Sequence, residues 1–435
     1  VKTAILGGGL SGLTIARLLA ARNEDVMVLE AGERIGGLCQ SFQKDGFTFD
    51  TGGSHIIFSR DQEVLLFMHE VLGCNRNECQ RNTKIFYKGL FIKYPFENGL
   101  FALPKEDLFF CINEFVKAHV SSEKGEFKPP VNFKEWIYQT FGKGIAECYM
   151  VPYNEKIWNY KTDLMSAHWM EGRVPRPPVE DVIRSAIGIE TEGYTHQSVF
   201  SYPLEGGIES LIHAISEPVT DRVTTGFRVT SVTQNGGKWV ISDGTRNIVA
   251  DRCISTIPLQ YLIPMLNDVP ETVRKAVDDL KYNSLISVSI GIKGQVPPVS
   301  WMYIPDEKTG MENRISFPSN FSPGTVPEGC SSVLAEITFN EGDAVSTMGD
   351  QDVIDHVTRS LTLMGIISPG SVILTGLFRH RFAYVVYDLN YLKNIEIVRE
   401  YCNSIGISLV GRFSRFEYLN MDGCIRNAMD FVRGC

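Results

Sequence analysis

The chain has 435 residues, 43% of them hydrophobic and 21% charged, and a formal net charge of −9. Its length suits two or three domains with sizeable cores, and its acid excess argues against a general nucleic-acid binder. No apolar run reaches the roughly 18 residues of a transmembrane helix, and the chain starts inside a strand pattern without a signal-like leader, so a cytoplasmic protein with no membrane span is expected.

The first elements are an apolar run, Ala4-Ile5-Leu6, then Gly7-Gly8-Gly9-Leu10-Ser11-Gly12, a helix-like segment over 13–21, and a second apolar run over 26–29 ending on Glu30. Glycines 7, 9 and 12 are spaced G-x-G-x-x-G between strand and helix. In that setting the first makes a tight turn, the second lets backbone approach a pyrophosphate, and the third lets the helix pack closely on the strand. The helix N-terminus offers unpaired N–H groups to phosphate, and Glu30 is placed to accept hydrogen bonds from a ribose diol. The run that follows, Glu30-Ala31-Gly32-Glu33-Arg34-Ile35-Gly36-Gly37, resembles the E-A-x-x-R-x-G-G signature of the FAD family that includes amine oxidases, protoporphyrinogen oxidases and UDP-galactopyranose mutases. That resemblance implies FAD, with Arg34 over its pyrophosphate and Gly36 and Gly37 admitting backbone to the flavin.

Further along, the segment 47–58 alternates and turns at Gly52-Gly53, a pair that lets main chain lie flat against a ligand, with Ser54 and His55 next. A helix is expected over 61–72, a hairpin over 84–93 around Lys88-Gly89, and then comes Lys93-Tyr94-Pro95-Phe96-Glu97-Asn98. Residues 91–200 read as a mainly helical insertion, broken at Phe141-Gly142-Lys143-Gly144 and containing the aromatic- and amide-rich run 152–160. Its proline-stiffened loop 172–178 carries Arg173 and Arg176, good anion ligands when held rigidly. A helix is expected over 208–215, strands over 228–232 and 253–258, and a hairpin at Asn235-Gly236-Gly237. Strand patterns at 282–294, 300–317 and 331–338 form a second sheet, after which the segment 374–382 returns the chain to the first domain. The close is Gly411-Arg412-Phe413 and a last helix opened by Met421-Asp422-Gly423. Ten scattered cysteines show no C-x-x-C spacing, so free thiols in a reducing compartment and no metal site are expected.

The fold class expected is α/β. A discontinuous Rossmann-like FAD-binding domain (1–90, 201–262, 376–435) carries an inserted helical bundle (91–200) and a twisted antiparallel sheet domain (263–375).

Across nearly the whole chain the motifs resemble UDP-galactopyranose mutases, particularly the eukaryotic type. That resemblance implies cofactor contacts from Gly7, Gly9, Leu10, Ser11, Gly12, Glu30, Arg34, Gly36, Gly37, Gly53, Ser54, Val229 (beside the adenine), Arg412 (at the flavin pyrophosphate) and Asp422. It places His55 on the flavin face, and Arg173 and Arg314 on the substrate's diphosphate. It puts Tyr94, Phe96 and Glu97 at the base, Asn154 and Trp158 along the nucleotide, Gln197 near the sugar, Trp301, Tyr303 and Asn320 in the substrate site, and Tyr384 and Tyr418 at the diphosphate. The sequence departs from the family in the extra Ser54 between Gly53 and His55, in Glu97 where the eukaryotic enzymes have Gln, in Gln197 near a position of Asn, and in Tyr384-Val385-Val386-Tyr387, which lacks a proline pattern. Guanidinium forks suit two diphosphate charges, tyrosine hydroxyls add neutral donors, and an aromatic face stacks a base.

The implied activity is interconversion of pyranose and furanose forms of a nucleotide sugar, UDP-galactose by default, through a reduced-flavin N5–sugar adduct and without net redox. NAD(P)H is the implied reductant. A CDP-sugar is the alternative substrate raised by Glu97, and a net-redox flavoenzyme of the protoporphyrinogen oxidase or amine oxidase type is the alternative activity.

Overall fold

A computed structural model describes residues 1–170, 176–191 and 198–435. At its start, β1 (Lys2–Leu6), α1 (Leu10–Ala21) and β2 (Asp25–Leu29) form the expected strand–turn–helix–strand unit. The two strands pair in parallel, and strands Arg252–Ser255, Ile407–Leu409 and Val223–Thr224 extend them into a five-stranded parallel sheet. A parallel sheet is covered on both faces, which is why its strands read as continuous apolar runs. On one face Ile5, Val28 and Ile254 pack with Ile15 and Leu19 of α1 and with Ala428 and Val432 of the last helix, Met421–Arg433. On the other, Ala4, Leu6 and Leu29 join a core with Phe227, Val229 and Trp239. The predicted hairpin at Asn235-Gly236-Gly237 is present, its two glycines at φ +59 and +78, conformations that suit the twist of a two-residue turn.

The second sheet has seven strands, in the order Val372–Val386, Lys281–Lys293, Cys330–Phe339, Arg314–Ser316, Trp301–Tyr303, Thr83–Tyr87 and Leu90–Lys93. Its long strand Lys281–Lys293 alternates cleanly. Ile286, Val288 and Ile290 face the helix Asp350–Leu363 through Val353, Val357 and Leu361. Ser287 points the other way, its hydroxyl donating to the Thr51 carbonyl of the nucleotide-binding domain. One sheet face is thus closed by apolar packing, and the other presents polar side chains to the site.

Two strands cross the expected domain limits. The hairpin Thr83–Lys93 joins this sheet through parallel pairing of Thr83–Ile85 with Trp301–Tyr303. The strand expected to return to the first domain at 376 stays in the sheet to Val386, because it pairs along the whole of Lys281–Lys293. The segment 300–317 is two short strands joined by a loop.

The insertion is helical, built from Lys105–Glu123, Phe133–Ile145, a π-helical turn Ala146–Met150, Val151–Trp158 and Val179–Ala186. The expected break falls at Gly142 (φ +72), where a Cβ would stand 2.4 Å from the Glu114 carbonyl oxygen. Only glycine allows that approach of two helices. Among the described residues no helix is long and apolar enough to cross a membrane.

Candidate active site

The glycine turn between β1 and α1 divides its labour by residue. A Cβ at Gly12 would stand 2.1 Å from the Gly7 carbonyl oxygen, so the third glycine is a packing requirement. A Cβ at Gly9 would meet no atom within 4 Å; that glycine keeps open the space above the turn. The N-terminus of α1, which begins at Leu10 and Ser11, has no side-chain cap, leaving its first N–H groups to whatever sits there. Gly36 (φ +113) and Gly37 (φ +57) fold over the turn, with the Gly36 amide donating to the Gly8 carbonyl at 2.8 Å. Glu30 accepts from the amides of Gly8 and Gly32, both at 2.7 Å, so it braces this cradle. Val229 is buried beside Leu29 and Phe227, and the Phe227 amide donates to the Glu30 carbonyl at 2.8 Å.

Two arginines near the cradle behave differently. Arg34, expected over a pyrophosphate, donates to both oxygens of Glu209 (2.7 and 2.6 Å) and to the Ser41 carbonyl (2.9 Å). Among the described residues Arg412 spends only Nη1, on the Leu419 carbonyl at 3.2 Å, and its buried Nε and Nη2 meet no acceptor. Its guanidinium lies 5.0 Å from the ring centres of both Tyr384 and Tyr418. Asp422 accepts from the Ser59 hydroxyl (2.8 Å) and from the amide of Gly423 at the start of the last helix.

The loop carrying Gly53, Ser54 and His55 is tied from three sides. Asp50 accepts from Ser41, Tyr202 and the Ile208 amide, each at 3.0 Å, and burial pushes its carboxyl up to about 6 despite those bonds. The Ser54 amide donates to Glu336 at 3.0 Å, and the Ser54 carbonyl accepts from Arg314 at 3.3 Å. His55 Nδ1 lies 2.8 Å from the Gly53 carbonyl. Since a carbonyl only accepts, Nδ1 carries the proton and Nε2 keeps its lone pair. Burial, then the charge of Arg314, pushes the imidazole down to about 4, with Arg412 adding to the shift, so His55 is neutral at physiological pH and sits near both guanidinium groups.

Across the second sheet, Ser287, Glu336, Arg314 and Tyr303 are successive register partners and so share the face turned to this loop. Arg314 donates through Nε and Nη2 to Glu336 at 2.8 and 2.7 Å. Its Nη1 has no protein acceptor among the described residues. Tyr384 lies near Arg314 and Arg412, and its hydroxyl likewise has no partner among the described residues. Trp158 packs edge-on against Tyr384 (5.9 Å) and Tyr418 (5.3 Å).

A wall of rings continues from there. Tyr94 and Tyr303 are 5.2 Å apart, Tyr303 and Tyr153 4.9 Å, Tyr153 and Tyr149 5.3 Å, and Tyr149 and Phe96 5.0 Å. Arg81 sits between Tyr94 (5.0 Å) and Trp301 (4.9 Å). Glu97 is buried beside this wall, and burial raises its carboxyl to about 7.

Several expected contacts have other work. Phe96, expected at the base, is fully buried, with Tyr87 (5.6 Å) and Tyr149 against its ring, because its turn faces the helical core. Asn154 donates to the Met150 carbonyl (2.7 Å) and accepts from Trp158 Nε1 (3.2 Å), so it orients Trp158 from within its own helix. Asn320 donates to the carbonyls of Pro297 and Val299 at 2.9 and 2.8 Å, pinning a loop. Trp301 is in the core with Phe200 and Phe321, its Nε1 buried without an acceptor. Arg173 and Gln197 lie outside the described residues.

Sequence reasoning missed Arg81, Tyr149, Tyr153 and Glu336. Glu336 left a signal, an acid within the apolar strand pattern 331–338. Arg81 left none, since a stacked guanidinium looks like any surface arginine until the fold places its two rings.

Comparison with known proteins places the chain in a family. A family profile described as flavin-containing amine oxidoreductase matches residues 10–395. A crystal structure of reduced UDP-galactopyranose mutase superposes with a TM-score of 0.91 at 27% identity, over 99% of this chain and 93% of that one. The dTDP-fucopyranose mutase of Escherichia coli is 25% identical over 218 residues, 46% of this chain and 54% of that protein, so the match spans about half of that relative's length. The flavin-containing amine oxidase A of Bos taurus is 32% identical over 96 residues, only 18% of its length. A putative protoporphyrinogen oxidase from Exiguobacterium sp. 255-15 shares the fold, with a TM-score of 0.78 at 18% identity over 100% of this chain and 98% of that one.

Proposed function

Since the chain belongs to the flavin-containing amine oxidoreductase family, we propose that it uses FAD not for net oxidation but as a nucleotide-sugar mutase, interconverting pyranose and furanose forms. The family's cofactor fits the cradle: Gly9 leaves space where a Cβ would project, α1 offers an uncapped N-terminus, and Arg412 holds two buried donors without acceptors. The reading of the activity rests on one observation. Arg314, beside the neutral His55, and Tyr384, beside Arg314, keep donors unspent among the described residues. An oxidase acting on an apolar substrate has no use for such a set. A nucleoside diphosphate that leaves and returns has one, because its charge grows as its bond to the sugar breaks.

Reduced FAD supplies a nucleophilic electron pair and regains it at the end of the cycle, so no acceptor is consumed. The chain's own residues do the rest. Arg314 and the Tyr384 hydroxyl hold the diphosphate, while Glu336 fixes the Arg314 fork against the Ser54 backbone. Tyr418 joins them at the diphosphate and Trp158 lines the nucleotide, as the resemblance implies, and Tyr94, Tyr303 and Arg81 offer the base a stacking surface. By the resemblance, Arg173 serves the diphosphate and Gln197 the sugar. His55 and Ser54 present neutral backbone to the flavin. Cofactor, nucleotide and sugar would meet where the parallel-sheet domain, the seven-stranded sheet and the helical insertion adjoin.

Likeness to proteins called UDP-galactopyranose mutase and dTDP-fucopyranose mutase favours a UDP- or dTDP-sugar. NAD(P)H is the reductant proposed, and ten free thiols support a reducing compartment, the cytoplasm. The test is to incubate the holoenzyme with UDP-galactofuranose and dTDP-sugars, with and without dithionite, and resolve the isomers chromatographically. Isomer formed only after reduction supports the proposal. Substrate-driven bleaching of oxidised flavin with no isomer contradicts it.

A further inference from the structure

The helices Lys105–Glu123 and Phe133–Ile145 cross with their backbones in contact. Gly142 lies against Glu114, and a Cβ at Gly144 would stand 2.5 Å from the Cys111 Cα. One chain advances as the other retreats, so the next turn, the π-helical Ala146–Met150, carries Cys148 over the stretch between Asp107 and Cys111. There the two thiols hydrogen-bond to each other. Cys111 is buried in the helical core, while Cys148 packs against that core and is half-buried. Two more polar groups complete the cluster. The Tyr87 hydroxyl donates to Asp107 at 3.1 Å and also reaches the Cys148 sulfur, and Lys88 donates to the same carboxylate at 2.7 Å. The bond from Cys111 and, less, that from Tyr87 hold the Cys148 thiol below its ordinary value against burial, and the Cys111 thiol is raised in turn. A thiolate is the form that attacks an oxidant, so Cys148 is both the more accessible sulfur and the more readily ionised one.

We propose that Cys148 and Cys111 form a redox pair that hydroperoxides convert to a disulfide, and that closing the bond disturbs the ring wall at Tyr149. The Cys148 sulfur attacks one peroxide oxygen, the O–O bond breaks, and the departing oxygen takes up the thiol's proton. The Cys111 sulfur then attacks the resulting sulfenic sulfur, and its own proton leaves with the displaced hydroxyl as water. Two thiols are oxidised and one hydroperoxide is reduced, which from hydrogen peroxide gives two waters. The sulfurs must close from hydrogen-bonding separation to about 2 Å, a movement that the π-helical turn carrying Cys148 has to absorb. Tyr149 is the next residue in that turn, stacked between Phe96 at 5.0 Å and Tyr153 at 5.3 Å. The oxidised pair therefore disturbs the stack that continues through Tyr153 to Tyr303, where, on the nucleotide-sugar reading above, the base is received.

The test treats holoenzyme, its flavin left oxidised so that it consumes no peroxide, with a small excess of hydrogen peroxide. Free thiols are alkylated and a non-reducing digest is mapped by mass spectrometry, before and after dithiothreitol. The expected result is a linked Cys111–Cys148 peptide that dithiothreitol releases, formed ahead of any oxidation of the exposed Cys74 and Cys435. In Cys111→Ser the reaction should stop at a Cys148 sulfenic acid, trapped by dimedone, and Cys148→Ser should leave Cys111 reduced. In calorimetric titration with UDP, closing the pair should weaken binding roughly ten-fold, an effect reversed by dithiothreitol and absent in peroxide-treated Cys148→Ser. Cys111 and Cys148 still reduced once Cys74 and Cys435 have oxidised overturns the proposal, whatever UDP does. A disulfide that leaves UDP affinity unchanged overturns its link to the ring wall. Untreated protein that binds no UDP, yet forms the disulfide, overturns the nucleotide-sugar reading and leaves the thiol chemistry standing.

Discussion

Replacing Arg412 with Leu should make the apoprotein more stable and the holoprotein weaker. In the absence of cofactor, Arg412 Nε and Nη2 are buried and unpaired, and each unmet donor costs roughly 1–3 kcal/mol. Against that relief stand the lost bond to the Leu419 carbonyl, about 1 kcal/mol, and two contacts with the rings of Tyr384 and Tyr418, about 0.5–1 kcal/mol each. The balance leaves apo Arg412→Leu about 1–2 kcal/mol more stable, which for a chain of this length raises Tm by only about 1–2 °C. With FAD the sign reverses. Losing two charge-assisted bonds of about 1.5–3 kcal/mol each lowers affinity at least about a hundred-fold. Stripped protein is melted with and without FAD, and FAD is titrated by quenching of flavin fluorescence. A less stable apo variant with unchanged FAD affinity would show that Arg412 is a structural residue with no pyrophosphate to hold.

The second and third glycines of the turn should separate fold from cofactor: Gly12→Ala drives a Cβ into the Gly7 carbonyl and destabilises the apoprotein, whereas Gly9→Ala leaves apo stability within about 0.5 kcal/mol but weakens FAD binding, as paired melts and flavin titrations will read. Glu336→Ala strands the largely buried Arg314 and the Ser54 amide, and should cost about 3–5 kcal/mol in urea unfolding, with Glu336→Gln milder. Asp50 and His55 pull stability in opposite directions below neutrality. Asp50, held up at about 6, gives the folded chain the extra proton, so its contribution rises as pH falls through that value; His55, pushed from 6.5 down to about 4, gives it to the unfolded chain, so stability is lost over that interval. Asp50→Asn should therefore steepen the acid loss between about pH 6.5 and 4 by about 1–2 kcal/mol in stepped-pH urea titrations, and an unchanged slope would contradict those protonation states.

The nucleotide-binding half was legible because its requirements are local. A strand, a tight turn and a helix N-terminus leave glycines and apolar runs within thirty residues, and Gly12 is demanded by an atom only five residues away. The substrate half is not local. Whether Phe96 offers its ring to a base or to the core depends on Tyr87 and on Tyr149, more than fifty residues on. Asn154 reads as a polar contact in any motif, but the helix places Trp158 one turn ahead and takes up its amide. The limit drawn at 376 missed because alternation marks a strand without naming its partner; the fifteen-residue run to Val386 belongs with Lys281–Lys293, which sequence spacing does not reveal. Arg314 and Glu336 are twenty-two residues apart in sequence but adjacent in register, so the pair emerges only with the sheet.

The most direct test of the central claim counts product against electrons. Holoenzyme is reduced once, anaerobically, with one equivalent of dithionite per flavin. It is then given a large excess of UDP-galactofuranose, with the dTDP- and CDP-sugars run alongside, while isomers and flavin absorbance are followed together. The account predicts many turnovers per reduced flavin, with the flavin still reduced when conversion stops and no conversion by the oxidised protein. At most one product per flavin, or reoxidation of the flavin in step with substrate consumed, would contradict it and make this chain a net-redox enzyme.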